Sequence, residues 1–243
     1  MDIQYESSDH FAGWEKAPNF IQSLLPKYNC NRILEIGSGA NPTLSPDFVK
    51  REGLSYVTSD LSHEELDKAD PAFERLVLDL SRTDFDPALN ASFDCVFSRM
   101  VNEHIRDGRQ YHANIYRILK PGGISVHLFS ALGNIPFVAN RLMPEFIGDV
   151  LLQYFSPGRN HPKHGKFKAY YSWSRGPTKL MLERFQSLGF EILNYTGYFG
   201  HYYYRRLPWI YRLERIKSSY LLKHPVPQLC CYATVVLRKP SAG

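Results

Sequence analysis

The sequence predicts an α/β fold built on a doubly wound, mostly parallel sheet, and three observations carry that expectation. Short apolar runs alternate with stretches of helical spacing, the pattern of strands joined by crossover helices. Three of the early runs close on an acid, at Glu35, Asp60 and Asp79. The first is followed at once by two glycines, in Ile33-Leu34-Glu35-Ile36-Gly37-Ser38-Gly39-Ala40-Asn41-Pro42. A G-x-G turn after a buried strand lets the backbone bend tightly and approach a ligand closely.

Taken in order, residues 11–26 read as a short amphipathic helix with Phe11, Trp14, Ile21, Leu24 and Leu25 on its apolar side. The first strand follows at about 31–36, and Pro42 suits the first turn of a helix, where a missing N–H is harmless. Residues 54–60 form a second strand closed by Asp60; Ser62, with Glu64 and Glu65 behind it, caps and starts a short helix. A third strand at 76–78 leads into Asp79, and 93–98 form a fourth. A helix around 106–119 ends at Lys120-Pro121-Gly122-Gly123, and 124–129 form the fifth strand. Residues 131–172 are an insertion rich in Pro, Phe, Tyr, His and Lys. A helix spans 177–188, stopped by Gly189, before a strand at 190–195. Residues 196–228 are crowded with tyrosine and arginine, and 231–238 form the last strand.

At 243 residues and 44% hydrophobic content the chain can bury one substantial core. The expected organisation is one domain over 1–243: an N-terminal helical segment (1–29), a ligand-binding core (30–130), a lid insertion (131–176) and C-terminal strands (177–243) carrying the 196–228 decoration. Cys30, Cys95, Cys230 and Cys231 show neither C-x-x-C spacing nor a neighbouring His at a metal-ligand interval, so they read as reduced, buried thiols of a cytosolic protein, and no metal is expected. The N-terminus has no basic stretch followed by an apolar one. No apolar run approaches the roughly 20 residues that span a bilayer. A soluble, cytoplasmic protein is expected. The net charge of +5 is modest.

Glu35 restricts the ligand. A dinucleotide needs the same glycine turn but brings a pyrophosphate to the next helix N-terminus, and a carboxylate two residues before the first glycine would repel it. A ligand with cationic groups and no phosphate fits instead. S-adenosylmethionine, with its sulfonium and α-amino group, is the common cofactor of that description.

The order of signals resembles the class I S-adenosylmethionine-dependent methyltransferases over roughly residues 30–130. The elements are Leu34-Glu35-Ile36-Gly37-Ser38-Gly39, then Asp60-Leu61-Ser62, then Leu78-Asp79-Leu80. Phe93-Asp94-Cys95-Val96-Phe97-Ser98 with Glu103-His104-Ile105, and Leu119-Lys120-Pro121-Gly122-Gly123, complete the set. The resemblance implies a Rossmann-like sheet of seven strands with an antiparallel last strand, which 190–195 and 231–238 fit. It departs at the third glycine of the first loop, where this chain has Asn41-Pro42.

Ligands of such sheets sit outside the carboxyl ends of the strands. There Glu35, partly through the loop of Gly37, Ser38 and Gly39, would organise the methionine end of the cofactor. Asp60 would hold the ribose diol, Leu61 would pack on the adenine face, and Asp79 with the backbone at Leu80 would meet the adenine edge. Ser98, closing the fourth strand, joins this set. His104 follows the same strand and is the candidate general base; the alternative is that Glu103-His104 supports the next helix or packs under the cofactor. His127, inside a strand, reads as a core histidine.

Tyr170, Tyr171, His161 and His164 belong to the insertion and are candidate substrate contacts, with His164, Tyr170 and Tyr171 carried furthest. Arg159, Lys163, Lys166 and Lys168 crowd the same segment. Tyr202-Tyr203-Tyr204-Arg205-Arg206, Trp209, Tyr211, Arg212, Arg215, Lys217, Tyr220 and Lys223 follow near the C-terminus. The two segments are expected to form one lid. Such a surface fits an anionic substrate, a headgroup layer touched from the periphery, or single-stranded nucleic acid. A small or lipid-like acceptor ranks first and RNA second; DNA is not expected. The contrasting class is a noncatalytic scaffold that keeps the fold, against which stands the complete set Glu35, Gly37, Gly39, Asp60 and Asp79.

Overall fold

Ile33, Leu34, Glu35 and Ile36 are buried one after another, which a strand achieves only with layers packed on both faces. The computed structural model describes residues 1–84, 86–133 and 168–241. Its strands are β1 (Asp2–Ser7), β2 (Arg32–Ile36), β3 (Ser55–Asp60), β4 (Glu74–Val77), β5 (Phe93–Arg99), β6 (Leu119–Ser130), β7 (Glu191–Phe199) and β8 (Tyr232–Arg238). The helices are α1 (Ala17–Lys27), α2 (Pro46–Arg51), α3 (His63–Leu66), α4 (Gly108–Ile118), α5 (Lys179–Ser187) and α6 (Pro208–Lys223).

The strands form one sheet in the order β1-β7-β8-β6-β5-β2-β3-β4. β8 runs antiparallel to both neighbours, β6 and β7, and the other pairs are parallel. Seven of these strands are the expected ones. The eighth, β1, is an addition: it alternates exposed and shielded residues at its start and pairs with β7 from Asp2 opposite Asn194 to Ser7 opposite Phe199.

The succession runs outward from β2 through β3 to β4 on one side, and from β5 to β6 on the other. The loops leaving β2 and β5 therefore diverge and open a crevice at the carboxyl edge. Successive side chains go to opposite faces. Leu34, Val57, Val96 and Tyr195 pack with Tyr111, Ile115 and Ile118 of α4 and Met181 and Phe185 of α5. Ile33, Tyr56, Cys95, Phe97 and Val126 pack with Ile21 and Leu25 of α1.

Several boundaries differ from expectation. The first helix starts at Ala17, with Pro18 in its first turn. Phe11 and Trp14 lie before it and pack on Tyr232, and Phe11 also meets Tyr198. Pro42 does not start a helix; that place belongs to Pro46, behind Ser45, whose hydroxyl accepts from the Phe48 N–H. Ser62 caps α3 as expected, accepting from Glu65. Helix α6 falls inside a segment expected only to be aromatic and basic. The four cysteines are all buried. Among the described residues no helix is long and apolar enough to cross a membrane.

Candidate active site

The loop after β2 takes its shape from its own residues. Gly37 and Gly39 have φ of +68° and +49°, the left-handed region that side chains resist. A Cβ on Gly37 would stand 2.5 Å from Val101 Cγ2, whereas one on Gly39 would stand 3.4 Å from Asp60 Oδ2. Gly37 thus packs against the turn that follows β5, and Gly39 leaves the Asp60 carboxylate open above it.

Glu35 acts on this loop. It is buried, and both of its oxygens are taken: the Thr43 N–H donates to Oε2 at 2.8 Å and the Thr43 hydroxyl to Oε1 at 2.5 Å. The Tyr56 hydroxyl also donates to Oε2. Burial pushes the Glu35 carboxyl above its ordinary value, against the pull of these bonds and of the Arg99 charge. The Glu35 hydrogen bonds go to the loop and to β3, so any action on a ligand runs through the loop. Ser38 is likewise buried, and its N–H donates to the Ser59 carbonyl at 3.0 Å. Arg99 Nη2 donates to the Asn41 carbonyl at 3.3 Å, holding the loop from the side of β5. An open cleft of about 450 Å³ borders this loop, lined by Trp14, Pro18, Pro42, Phe73 and Arg99 among others, while Asp60 and Asp79 stand outside it.

Asp60 sits at the last position of β3, where its Oδ1 accepts from the Ser62 N–H at 3.2 Å and its Oδ2 stands over Gly39. Leu61 beside it is 65% exposed, an apolar side chain left open at the rim. Asp79 lies two residues beyond the end of β4 and accepts from the Ser81 N–H at 2.9 Å and the Ser81 hydroxyl at 2.6 Å through Oδ1. The Leu80 side chain is buried in the core, and its carbonyl accepts from Asn114 Nδ2 at 2.9 Å, so a ligand there meets the backbone rather than the side chain.

Ser98 goes elsewhere. Its fully buried hydroxyl donates to Asn102 Oδ1 at 2.9 Å and lies 2.7 Å from His127 Nδ1, so its side chain serves the core and not a cofactor. Asn102 Nδ2 in turn lies 3.5 Å from His112 Nε2. Burial holds His112 well below the ordinary imidazole value and His127 at about 3, so both are neutral. His127 is a core histidine, as expected.

Residues 102–104 form a single 3₁₀ turn after β5. Glu103 is buried; its Oε1 accepts from the Ser130 hydroxyl at 2.8 Å, and burial raises its carboxyl. The Glu103 carbonyl accepts from the N–H groups of Tyr170 and Tyr171 at 2.7 and 3.0 Å. The segment returning from the insertion is thereby tied to the turn that carries His104. His104 Nδ1 stands 3.2 Å from the Lys168 carbonyl. A carbonyl only accepts, so Nδ1 carries the proton and the ring lone pair lies on Nε2.

Tyr171 is buried with φ of +51°, packed in the aromatic core and bonded to Ser130. As a substrate contact it is corrected: it positions the returning segment. Tyr170 stays half-buried, with Lys168 Nζ 5.6 Å from its ring centroid. Arg159, His161, Lys163, His164, Lys166 and Phe167 lie outside the described residues.

Of the expected single lid, residues 134–167 lie outside the described residues, and the second half has its own contacts. Helix α6 packs against β1 and β7, four strand positions from β2 in the sheet order, or about 19 Å at the usual spacing. The start of that connection reaches inward, where Tyr203 joins the cluster that holds Tyr171.

Sequence reasoning missed Thr43, Tyr56, Arg99 and Asn114. Tyr56 had a signal: Glu35 pairs with Thr58 in the register of β2 and β3, so Tyr56, two residues back, is its diagonal neighbour on the same face.

Residues 34–127 match the family model described as a methyltransferase domain. Among solved structures, the chain is similar to phosphoethanolamine N-methyltransferase 2 of Haemonchus contortus, solved with S-adenosyl-L-methionine. The TM-score is 0.55 at 20% identity over 92% of this chain, which spans 53% of that one. A SAM-dependent methyltransferase from Archaeoglobus fulgidus gives a TM-score of 0.51 at 14% identity, over 94% of this chain and 97% of that one. The cyclase SpnF gives 0.54 at 15% identity, over 100% of this chain and 88% of that one. Likeness at such identities establishes the fold. No curated protein matches the chain by sequence. The matched model shows a methyltransferase domain over residues 34–127, and the sheet that carries it has the Rossmann-like fold of S-adenosylmethionine-dependent methyltransferases.

Proposed function

We propose that this enzyme moves a methyl group from S-adenosylmethionine to an oxygen or nitrogen of a small acceptor, anionic or amphipathic in character, such as a natural-product, glycan or lipid intermediate. The observation that carries the site assignment is the open Asp60 carboxylate above Gly39, at the switch in strand order. A ribose diol offers the two donors that a carboxylate there accepts. Leu61 covers the adenine face, and Asp79 with the Leu80 N–H meets the adenine edge. Glu35 shapes the loop of Gly37, Ser38 and Gly39 around the methionine end, and its buried negative charge favours the sulfonium and ammonium groups.

When bound, S-adenosylmethionine supplies a methyl group on a sulfonium, an electrophile whose leaving group departs neutral. What is left to the chain is position, dryness and one proton. The Glu103 turn and the strand-tied loop hold acceptor and donor in line. Tyr170 and the residues tied to the Glu103 carbonyl shield the transfer site from water. His104, through its Nε2 lone pair, would take the proton from the acceptor O–H or N–H as that oxygen or nitrogen bonds the methyl carbon and the carbon–sulfur bond breaks. Lys168 at the same mouth suits an anionic group on the acceptor.

Calorimetry with S-adenosylmethionine, its demethylated product and NAD tests the first half. Binding of the first two and not of NAD is expected; the reverse overturns the site. A screen of acceptor classes with methyl-labelled cofactor tests the second half. The His104→Gln variant should lose about 100- to 10,000-fold in kcat while keeping its cofactor affinity. An unchanged kcat would return His104 to the supporting role described above.

A further inference from the structure

Helix α6 is built inside out for a surface helix. Its buried side carries Glu214 and Ser218 with Leu221, and its outer side carries Trp209, Leu213, Ile216 and Tyr220. These four are 68%, 57%, 58% and 62% exposed. They recur at i, i+4, i+7 and i+11 and so form one straight stripe, about 17 Å long at the rise of a helix. A surface helix normally turns such a stripe to the core. Here the core side is occupied by polar contacts. Glu214 Oε2 lies 2.6 Å from Lys217 Nζ and 3.7 Å from His201 Nε2, and the Ser218 hydroxyl donates to the Glu214 carbonyl at 2.8 Å.

The charge around the stripe has one sign. Arg212 and Lys223 border it on one side and Lys217 on the other, all exposed, with exposed Arg205 and Arg206 just ahead of the helix. Glu214, the helix's one carboxylate, faces inward and is paired. The outer face therefore offers an apolar ridge, two ring-bearing side chains with polar ends, and a rim of cations.

We propose that α6 lays this stripe on an anionic lipid surface, a docking site separate from the methyl-transfer site. Leu213 and Ile216 enter the acyl boundary, Trp209 and Tyr220 sit at headgroup level, and Arg212, Lys217 and Lys223 meet lipid phosphates. A second copy of this chain fits less well, because stripe-to-stripe pairing sets rim against rim with like charge. Single-stranded nucleic acid would use the cations and rings but leave Leu213 and Ile216 without a role. The helix is reached from the carboxyl end of β7, so a docked molecule holds the edge of the sheet that carries the glycine loop near the membrane. Docking does not depend on which acceptor is methylated.

The test is sedimentation of the 243-residue chain with vesicles of phosphatidylcholine alone and of phosphatidylcholine mixed with phosphatidylglycerol, at low and raised salt. Binding to the anionic vesicles, weakened by salt, is expected, with a blue shift of tryptophan emission that Trp209→Phe removes. Leu213→Ser with Ile216→Ser should weaken binding about a hundredfold, and Arg212→Gln or Lys223→Gln about fivefold each. Four outcomes overturn the proposal. One is equal sedimentation with and without the anionic lipid. A second is binding to a single-stranded oligonucleotide that the basic variants weaken and the serine pair does not. A third is a concentration-dependent dimer that the serine pair abolishes. The last is a serine pair that melts several degrees early, which means the stripe is covered by the chain itself.

Discussion

Asp60 and Gly37 show what single positions contribute to the site. Asp60→Ala removes a carboxylate at a strand end that carries little packing, so cofactor affinity should fall by about 1.5–3 kcal/mol with the melting temperature kept; calorimetry and a melt on the same sample check both. Gly37→Ala forces a Cβ into a left-handed backbone and to within 2.5 Å of Val101 Cγ2. A loss of about 1–3 kcal/mol in stability is expected, part of it restored when Val101→Ala is added, as denaturant titration of the double variant would show. The places of Asp60 and Gly39, at a strand end and in a left-handed turn, were legible because such places follow from the local sequence. Ser98 and Tyr171 were not, since which way a side chain faces depends on register and on the neighbours that bury it. Glu35 falls between: its importance was legible, but its partners Thr43 and Tyr56 come from the loop's path and the next strand.

Elements were most legible where apolar runs were long and least where a proline or glycine admitted two readings. Pro42 and Pro46 both suit a helix start; Ser45 decides between them by capping the Phe48 N–H. The opening strand β1 is hard to see because it lies at an edge, with two of its six residues exposed and the other four only partly buried. Helix α6 was hidden because its apolar residues face outward, which reverses the pattern that marks a surface helix. The segment returning from the insertion is held by Trp173, which stacks on His112 at 5.5 Å, carries the Arg184 guanidinium 5.5 Å from its ring centroid and lies against Gly108. Trp173→Ala should cost about 3–5 kcal/mol and release the tie between 168–175 and the His104 turn. Turnover should then fall further than cofactor affinity, a split that steady-state kinetics beside calorimetry would measure.

For the whole molecule, the buried histidines set the response to acid. His127 faces Ser98, His112 and Tyr111 and stays neutral down to about 3, whereas an unfolded chain takes up that proton near pH 6.5. The unfolded state therefore binds more protons between those values, and stability falls as pH drops from about 6.5 to 3. One such group contributes a slope of about 1.4 kcal/mol per pH unit. His127→Gln should flatten the acid limb by about that much in denaturant titrations at successive pH values. The raised carboxyls of Glu35 and Glu103 tilt the other way, since a folded state that holds protons longer loses stability as pH rises through their folded values. The doubly wound architecture was legible at this scale because strand and helix periods alternate so regularly. The position of β1 was not, because nothing local couples two segments so far apart.

That separation governs the order of assembly. Asp2 and Asn194 meet across 192 positions of sequence, so β1 is synthesised long before β7, the strand it pairs with. Until the two pair, β7 presents an open ladder of amides and carbonyls, the kind of edge that recruits strands from other chains. A lesion that slows the closing of β1 onto β7 should therefore be felt first as poor yield and aggregation during expression, while the molecules that do close keep normal cofactor affinity.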